Sequence, residues 1–226
     1  MTGLTLLFGG SFDPVHRGHV ETARASQRLT GACQIIWLPT PRSPLKARTG
    51  ATPEQRAELL RLALADAGEP SWLLDTEELR LPPPTYSIDT LRRWRARLGA
   101  DRPLAFLMGR DSLAGLAAWR DWRRLCEYAH LVVASRPGHD AALPTEIENW
   151  AENRRISRAE LLQSRPFGSL LLLDTPPWPV SSTDLRAALA DGRQTSDWLA
   201  PAVRDYIDHH GLYLEQGHDQ ESHASP

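Results

Sequence analysis

Short apolar runs alternate along this chain with longer stretches in which apolar residues recur every three or four positions. Leu4-Thr5-Leu6-Leu7-Phe8 has the pattern of a buried strand and stops at Gly9-Gly10, where a tight loop is expected. Gly18 to Leu29 reads as a helix, and Ile35-Ile36-Trp37-Leu38 as a second strand stopped by Pro39 and Pro41. Thr52-Pro53-Glu54-Gln55 is a helix start, with Thr as N-cap, Pro at the first helical position and an acid in the first turn. That helix continues through Leu59, Leu60 and Leu64. Trp72-Leu73-Leu74 predicts a strand, and Ser87 is expected to cap a helix carrying Ile88, Leu91, Trp94 and Leu98 near one face. Leu104 to Met108, His130 to Ala134 and Leu170 to Leu173 predict three more strands. A last helix places Leu199, Val203, Tyr206 and Ile207 at i, i+4, i+7 and i+8. Such alternation predicts an α/β fold: an open, mostly parallel sheet with helices on both faces and right-handed crossovers.

Residues 136–168 are polar and interrupted by proline, and read as an insertion or helical excursion. Residues 215–226 have no apolar periodicity and are expected to be a disordered tail, leaving 1–214 as a single domain. At 226 residues the chain can bury a core that needs no staples, and its 41% hydrophobic and 24% charged residues are ordinary for a globular protein. Lys+Arg 26 against Asp+Glu 28 leaves a formal charge of -2, which argues against a general nucleic-acid or membrane-surface binder and allows only a local basic pocket. Cys33 and Cys126 stand far apart without CxxC or a Cys/His cluster, so neither a disulfide framework nor a zinc site is expected. The run from Leu4 to Phe8 is too short for a signal peptide, and nothing approaches the roughly 20 apolar residues of a membrane span. A cytoplasmic protein is expected.

In an open parallel sheet, ligands bind beyond the carboxyl ends of the strands, near the point where strand order reverses. The loop after the first strand therefore matters most. It runs Gly9-Gly10-Ser11-Phe12-Asp13-Pro14-Val15-His16-Arg17-Gly18-His19. Paired glycines let the backbone approach a ligand, the following helix start favours an anion, and His16 and His19 lie three apart and can face the same group. A mere tight turn or a pair of metal-binding histidines are the plainer readings; G-x-G-x-x-G is absent. Near the other end, Ser181-Ser182-Thr183 opens a helix with Arg186 one turn on, a second possible anion cradle, although such serines alone are most often caps.

GGSFDPVHRGH resembles the GG(T/S)FDPxHxGH signature of the HxGH nucleotidyltransferases, and VSSTDLR resembles their ISSTxxR. Thr85-Tyr86-Ser87-Ile88-Asp89-Thr90-Leu91 is similar to the TYxxxTL segment of the bacterial nicotinate mononucleotide adenylyltransferases. Gly109-Arg110-Asp111-Ser112-Leu113 with Trp119 and Trp122 resembles their GxDSLxxLxxWxxW. Arg136-Pro137 and the ending from Tyr206-Ile207 to Leu212-Tyr213 also match, so the resemblance runs over residues 4–213. It implies a Rossmann-like (HUP-type) fold and an ATP site of Gly9, Gly10, Ser11, His16, His19, Gly109, Asp111, Arg136, Ser181, Ser182, Thr183 and Arg186. It places the nicotinate mononucleotide near Thr85, Tyr86 and Trp119, where Trp119 offers a flat face to the pyridine ring and Thr85 a donor to its carboxylate. One departure stands out: the family's PPH(K/R) is here Ser43-Pro44-Leu45-Lys46, so Leu45 replaces a histidine and only Lys46 carries over.

The activity so implied is adenylyl transfer from ATP to nicotinate mononucleotide in NAD biosynthesis. His16, His19, Lys46 and Arg186 would act on the transferring phosphate, and Mg²⁺ would be held through the phosphates rather than by a protein cage. The alternatives are the same chemistry on nicotinamide mononucleotide or phosphopantetheine, or a nucleotide sensor that binds ATP without reacting. No nucleic-acid or membrane partner is expected, and nothing in the sequence fixes the oligomeric state.

Overall fold

The apolar runs become strands because both of their faces are covered, and the periodic stretches become the helices that cover them. The computed structural model describes residues 3–41, 50–135 and 142–214. Seven strands, β1 (Thr5–Gly10), β2 (Gln34–Pro39), β3 (Trp72–Leu74), β4 (Leu104–Gly109), β5 (His130–Ser135), β6 (Arg155–Ile156) and β7 (Leu170–Asp174), form one sheet. Its order is β3-β2-β1-β4-β5-β7-β6, and every pairing among them is parallel. The helices are α1 (Arg17–Thr30), α2 (Pro53–Ala67), α3 (Ser87–Leu98), α4 (Arg110–Ala114), α5 (Thr145–Glu152), α6 (Ser182–Ala190) and α7 (Pro201–His209), with short 3₁₀ turns between them.

Successive strand residues point to opposite faces. Leu4, Leu6, Phe8, Ile35, Trp37, Ala105 and Leu107 therefore enter one buried cluster with residues of α1, α2, α6 and α7. Leu7, Ile36, Leu38, Phe106, Met108, Leu131 and Val133 enter the other, with α3, α4 and α5. Burial on both sides is why these strands read as continuous apolar runs rather than as alternating ones. From β1 the chain moves outward to β2 and β3; β4 then pairs on the other side of β1. The sheet order reverses there, which opens a crevice beyond the ends of β1 and β4.

Some boundaries differ from the sequence reading. Gly9 and Gly10 end the strand itself rather than forming the loop after it. A Cβ on Gly9 would come 3.1 Å from the Phe106 ring, and one on Gly10 3.0 Å from that of Phe12. The missing side chains thus make room for aromatic rings packed on the strand end. Ser87 is the first helical residue of α3 and not its cap; Tyr86 holds the cap position in extended conformation, without a side-chain cap bond. Its carbonyl accepts from the backbone N–H groups of Asp89 and Thr90, which draws the helix start back by one residue. Leu199 is buried but lies before α7, because Pro201 sets the first helical position. The stretch from 142 to 168 holds α5, a 3₁₀ turn and the two-residue strand β6, too short to show in a periodicity. The tail expected at 215–226 lies outside the described residues.

Candidate functional site

A cleft of about 940 Å³ lies over the carboxyl ends of β1, β4, β5 and β7. Its walls hold Gly9, Gly10, Ser11, His16 and His19 from the first signature, Gly109 and Asp111 from the middle, and Ser181, Ser182, Thr183 and Arg186 from the second. Segments far apart in sequence are thus joined in one concave site. Lys46, Leu45 and Arg136 lie outside the described residues. Thr85, Tyr86 and Trp119 do not line this cleft. Tyr86 and Trp119 pack half-buried on the α3 side of the sheet, Tyr86 with the Arg120 guanidinium 4.9 Å from its ring centre. Trp119 meets Phe106 edge-on at 6.3 Å, and Phe106 underlies Gly9, so Trp119 stands one ring away from the cleft floor.

The start of α1 is built by its own histidines. His16 is the buried N-cap residue, and its backbone N–H donates to His19 Nδ1 at 3.3 Å. An N–H group can only donate, so Nδ1 of neutral His19 is the acceptor nitrogen and Nε2 carries the proton. The two rings lie 3.8 Å apart, with Phe12 against the edge of His19 at 5.2 Å. Gly18 allows this stacking: a Cβ there would meet His16 Nδ1 at 2.9 Å and Val180 Cγ1 at 3.1 Å. Phe12 holds φ 48, an uncommon conformation for a bulky residue, and its ring is wedged against Phe8, Trp37 and His19.

The second helix start is tied to the first. Ser181 caps α6 by accepting from the Asp184 N–H at 3.1 Å, as the plain reading of that serine expects, and it also lines the cleft. Ser182 donates to the Pro14 carbonyl at 3.0 Å. Arg186 Nη1 donates to the Asp13 carbonyl at 2.7 Å, and Nη2 lies 3.4 Å from the Thr183 hydroxyl. Two helix N-termini, two imidazoles and a guanidinium therefore surround one space, an arrangement suited to a polyanion. Thr22, Thr175, Pro176 and Trp178 also line it, and no motif in the sequence pointed to them.

Three residues in and behind the cleft wall were given no role by the sequence reading, although Asp13 and Tyr213 stand in its quoted motifs. Arg56, fully buried in α2, donates to the carbonyls of Ser11, Thr40 (2.8 Å) and Pro41 (2.7 Å). Burial lowers its pKa, against the raising influence of the Asp13 carboxylate. Asp13 accepts from the N–H of Gly50 (2.9 Å) and of Ala51 (3.3 Å) and from the Tyr213 hydroxyl (2.7 Å). Burial, then the Asp13 carboxylate, hold the Tyr213 phenol well above its ordinary range. Asp13 and Tyr213 are 200 positions apart, and no local spacing links them.

The cytidylyltransferase-like family matches residues 7–188. A Yersinia pestis (strain Pestoides F) protein named "Probable nicotinate-nucleotide adenylyltransferase" is 38% identical over 211 residues, which cover 93% of this chain and 95% of that protein. A protein of the same name from Pectobacterium atrosepticum is 38% identical over 214 residues, covering 94% of this chain and all of its own length (100%). Among solved structures, the Plasmodium falciparum nicotinic acid mononucleotide adenylyltransferase complexed with NaAD superposes with a TM-score of 0.67. It is 18% identical and covers 93% of this chain and 97% of its own, a likeness of fold.

Proposed function

The chain belongs to the cytidylyltransferase-like family and, within it, to the nicotinate-nucleotide adenylyltransferases, and from that premise we infer that it transfers the adenylyl group of ATP to nicotinate mononucleotide. The products are nicotinate adenine dinucleotide, the precursor of NAD, and pyrophosphate. The observation that carries this reading is the convergence of the α1 and α6 N-termini, with His16, His19 and Arg186, on one cleft at the switch point of the sheet.

The acceptor phosphate is already an anion at neutral pH, so its in-line attack on the α-phosphorus of ATP needs no general base and no protein nucleophile. The protein's contribution is alignment and the stabilisation of charge on the transferring group and on the leaving pyrophosphate. We assign that role to His16, His19 and Arg186, with Lys46 in support from the family pattern. The neutral His19 would present its Nε2–H, since Nδ1 already accepts from the backbone. Gly9, Gly10, Ser11, Gly109, Asp111, Ser182 and Thr183 are assigned to ATP, with Arg136 from the family pattern; Ser181 serves it indirectly, as the cap of α6.

Among the described residues no group of three or more His, Cys, Asp or Glu side chains could hold a metal ion. The donor set of the cleft fits phosphate oxygens instead, so Mg²⁺ would ride on the triphosphate, where it would neutralise developing charge. Cytoplasmic location fits this reading; Cys33 and Cys126 are free thiols, and no helix among the described residues is long and apolar enough to cross a membrane.

We assign the acceptor's nicotinate to Thr85, Tyr86 and Trp119. The α3 helix begins there without a side-chain cap, so its N-terminal dipole and first N–H groups favour a carboxylate over a neutral amide. Charge-assisted bonds are about twice as strong as neutral ones, and a helix end adds ~0.3–1 kcal/mol. The expected outcome is a kcat/KM for nicotinate mononucleotide roughly tenfold to a thousandfold above that for nicotinamide mononucleotide. A coupled pyrophosphate-release assay with both acceptors decides it. Parity would overturn the acceptor pocket, and release with neither would overturn the activity.

A further inference from the structure

Asp13 places a carboxylate in the wall of a cleft read here as a polyphosphate site, where an open negative charge would repel the ligand. Its side chain is only 3% exposed, and four groups surround it. The N–H groups of Gly50 and Ala51 and the hydroxyl of Tyr213 donate to it directly. The fourth group, Arg186, stays short of a hydrogen-bonded ion pair: Nη1 sits 4.0 Å from Oδ2 while donating to the Asp13 backbone carbonyl at 2.7 Å. The fit around this knot is close. A Cβ on Gly50 would lie 2.7 Å from Tyr213 Cδ1 and 3.6 Å from Arg186 Cδ, so the missing side chain leaves room for the ring beside the carboxylate.

We propose that Tyr213 is a positioning residue for the adenylyl transfer: its hydroxyl occupies Asp13, so that Arg186 is held beside the carboxylate without being captured by it and keeps its guanidinium available to the phosphates. The proposal rests on the nucleotidyltransferase reading of the cleft. A carboxylate deprived of one donor recruits a nearby cation, and Arg186 stands within 4.0 Å of it while Arg56 is committed to the carbonyls of Ser11, Thr40 and Pro41. Without the hydroxyl, Arg186 swings inward to a direct pair with Asp13 and withdraws from the cleft. The end of the chain, some 200 residues from the first signature, thereby tunes an arginine of the second.

The test is a double-mutant cycle of Tyr213→Phe and Arg186→Lys. Phe keeps the ring against Gly50 and removes only the hydroxyl. In the Arg186 background, Tyr213→Phe is expected to lower kcat/KM for ATP about tenfold in protein whose melting curve shows it folded. In the Arg186→Lys background the same change is expected to cost less than about twofold, because the group it acts through is gone. Equal costs in both backgrounds, or a lowered melting temperature with unchanged kcat/KM, would overturn the proposal and leave Tyr213 a packing residue. ATP affinity by calorimetry, which needs no acceptor, separates this from the activity. If the wild-type chain binds ATP but transfers nothing to nicotinate mononucleotide, the activity fails, and the same cycle read in Kd still decides the role of Tyr213.

Discussion

His19 is held by several contacts at once. Its Nδ1 is committed to the backbone of His16, and its ring is stacked on His16 and braced by Phe12. A donor fixed in this way costs little reorganisation when charge develops on a phosphate. His19→Ala is therefore expected to fold and to lose about a hundredfold or more in turnover, since one preorganised donor is worth ~3 kcal/mol. Arg204→Ala is the control. Arg204 bonds Asp208 and the Thr195 hydroxyl, each at 2.7 Å, and does not line the cleft, so its removal should leave steady-state rates near wild type. A folded His19→Ala enzyme with normal turnover would remove the first signature from the chemistry. Cys126 makes the opposite point. Burial pushes its thiol up to about 12, which leaves it protonated and inert at neutral pH.

Elements hold their places through polar ties at their ends as well as through apolar faces. Thr52 and Gln55 form a reciprocal capping box that starts α2, and α2 carries Arg56 beneath the first-signature loop. At the start of β5, fully buried His130 accepts the Ser169 N–H on Nδ1 (3.0 Å) and donates from Nε2 to the Arg165 carbonyl (3.0 Å), a pairing only the neutral ring makes. Burial lowers its pKa, and the charges of Arg165 and Arg95 act in the same direction. The unfolded chain therefore takes up a proton near the ordinary pKa of about 6.5 while the folded chain does not. Stability is expected to fall as pH drops through that value and to level off below the folded-state pKa, by at most about 1.4 kcal/mol per pH unit for one proton. Urea unfolding at several pH values should show a shallower slope in this window for His130→Asn than for wild type. Identical slopes would mean that His130 titrates alike in both states.

Across the whole molecule, the cleft joins residues from the stretches 8–22 and 175–186 with others from the middle of the chain, so a ligand spanning it ties them together. At ATP about a hundredfold above its Kd, binding adds about 2.7 kcal/mol. For a domain of this size, that corresponds to a rise of about 5–10 °C in melting temperature; an unchanged melting curve would mean the cleft does not hold the nucleotide. The sequence by itself determined six of the seven strands, the main helices and the parallel α/β class, because burial on two faces and periodic burial on one face leave local marks, whereas β6 has only two residues. It also determined the contiguous signatures, because a helix start needs its cap and its glycine at fixed local offsets, as Ser181 and Gly18 do. The Gly9–Gly10 boundary and the α3 cap were misplaced by a residue or two, since aromatic packing from Phe106 and a carbonyl of Tyr86 set them. Asp13 and Arg186 stand in the two signatures and Tyr213 in the matching ending, but nothing in the sequence shows that they meet one another, or that Arg56 and Gly50 join them. The members of this knot come from two helices, α2 and α6, and from three connecting segments as far apart as Asp13 and Tyr213, and only the folded sheet brings their charges and hydrogen-bonding groups within reach of one another.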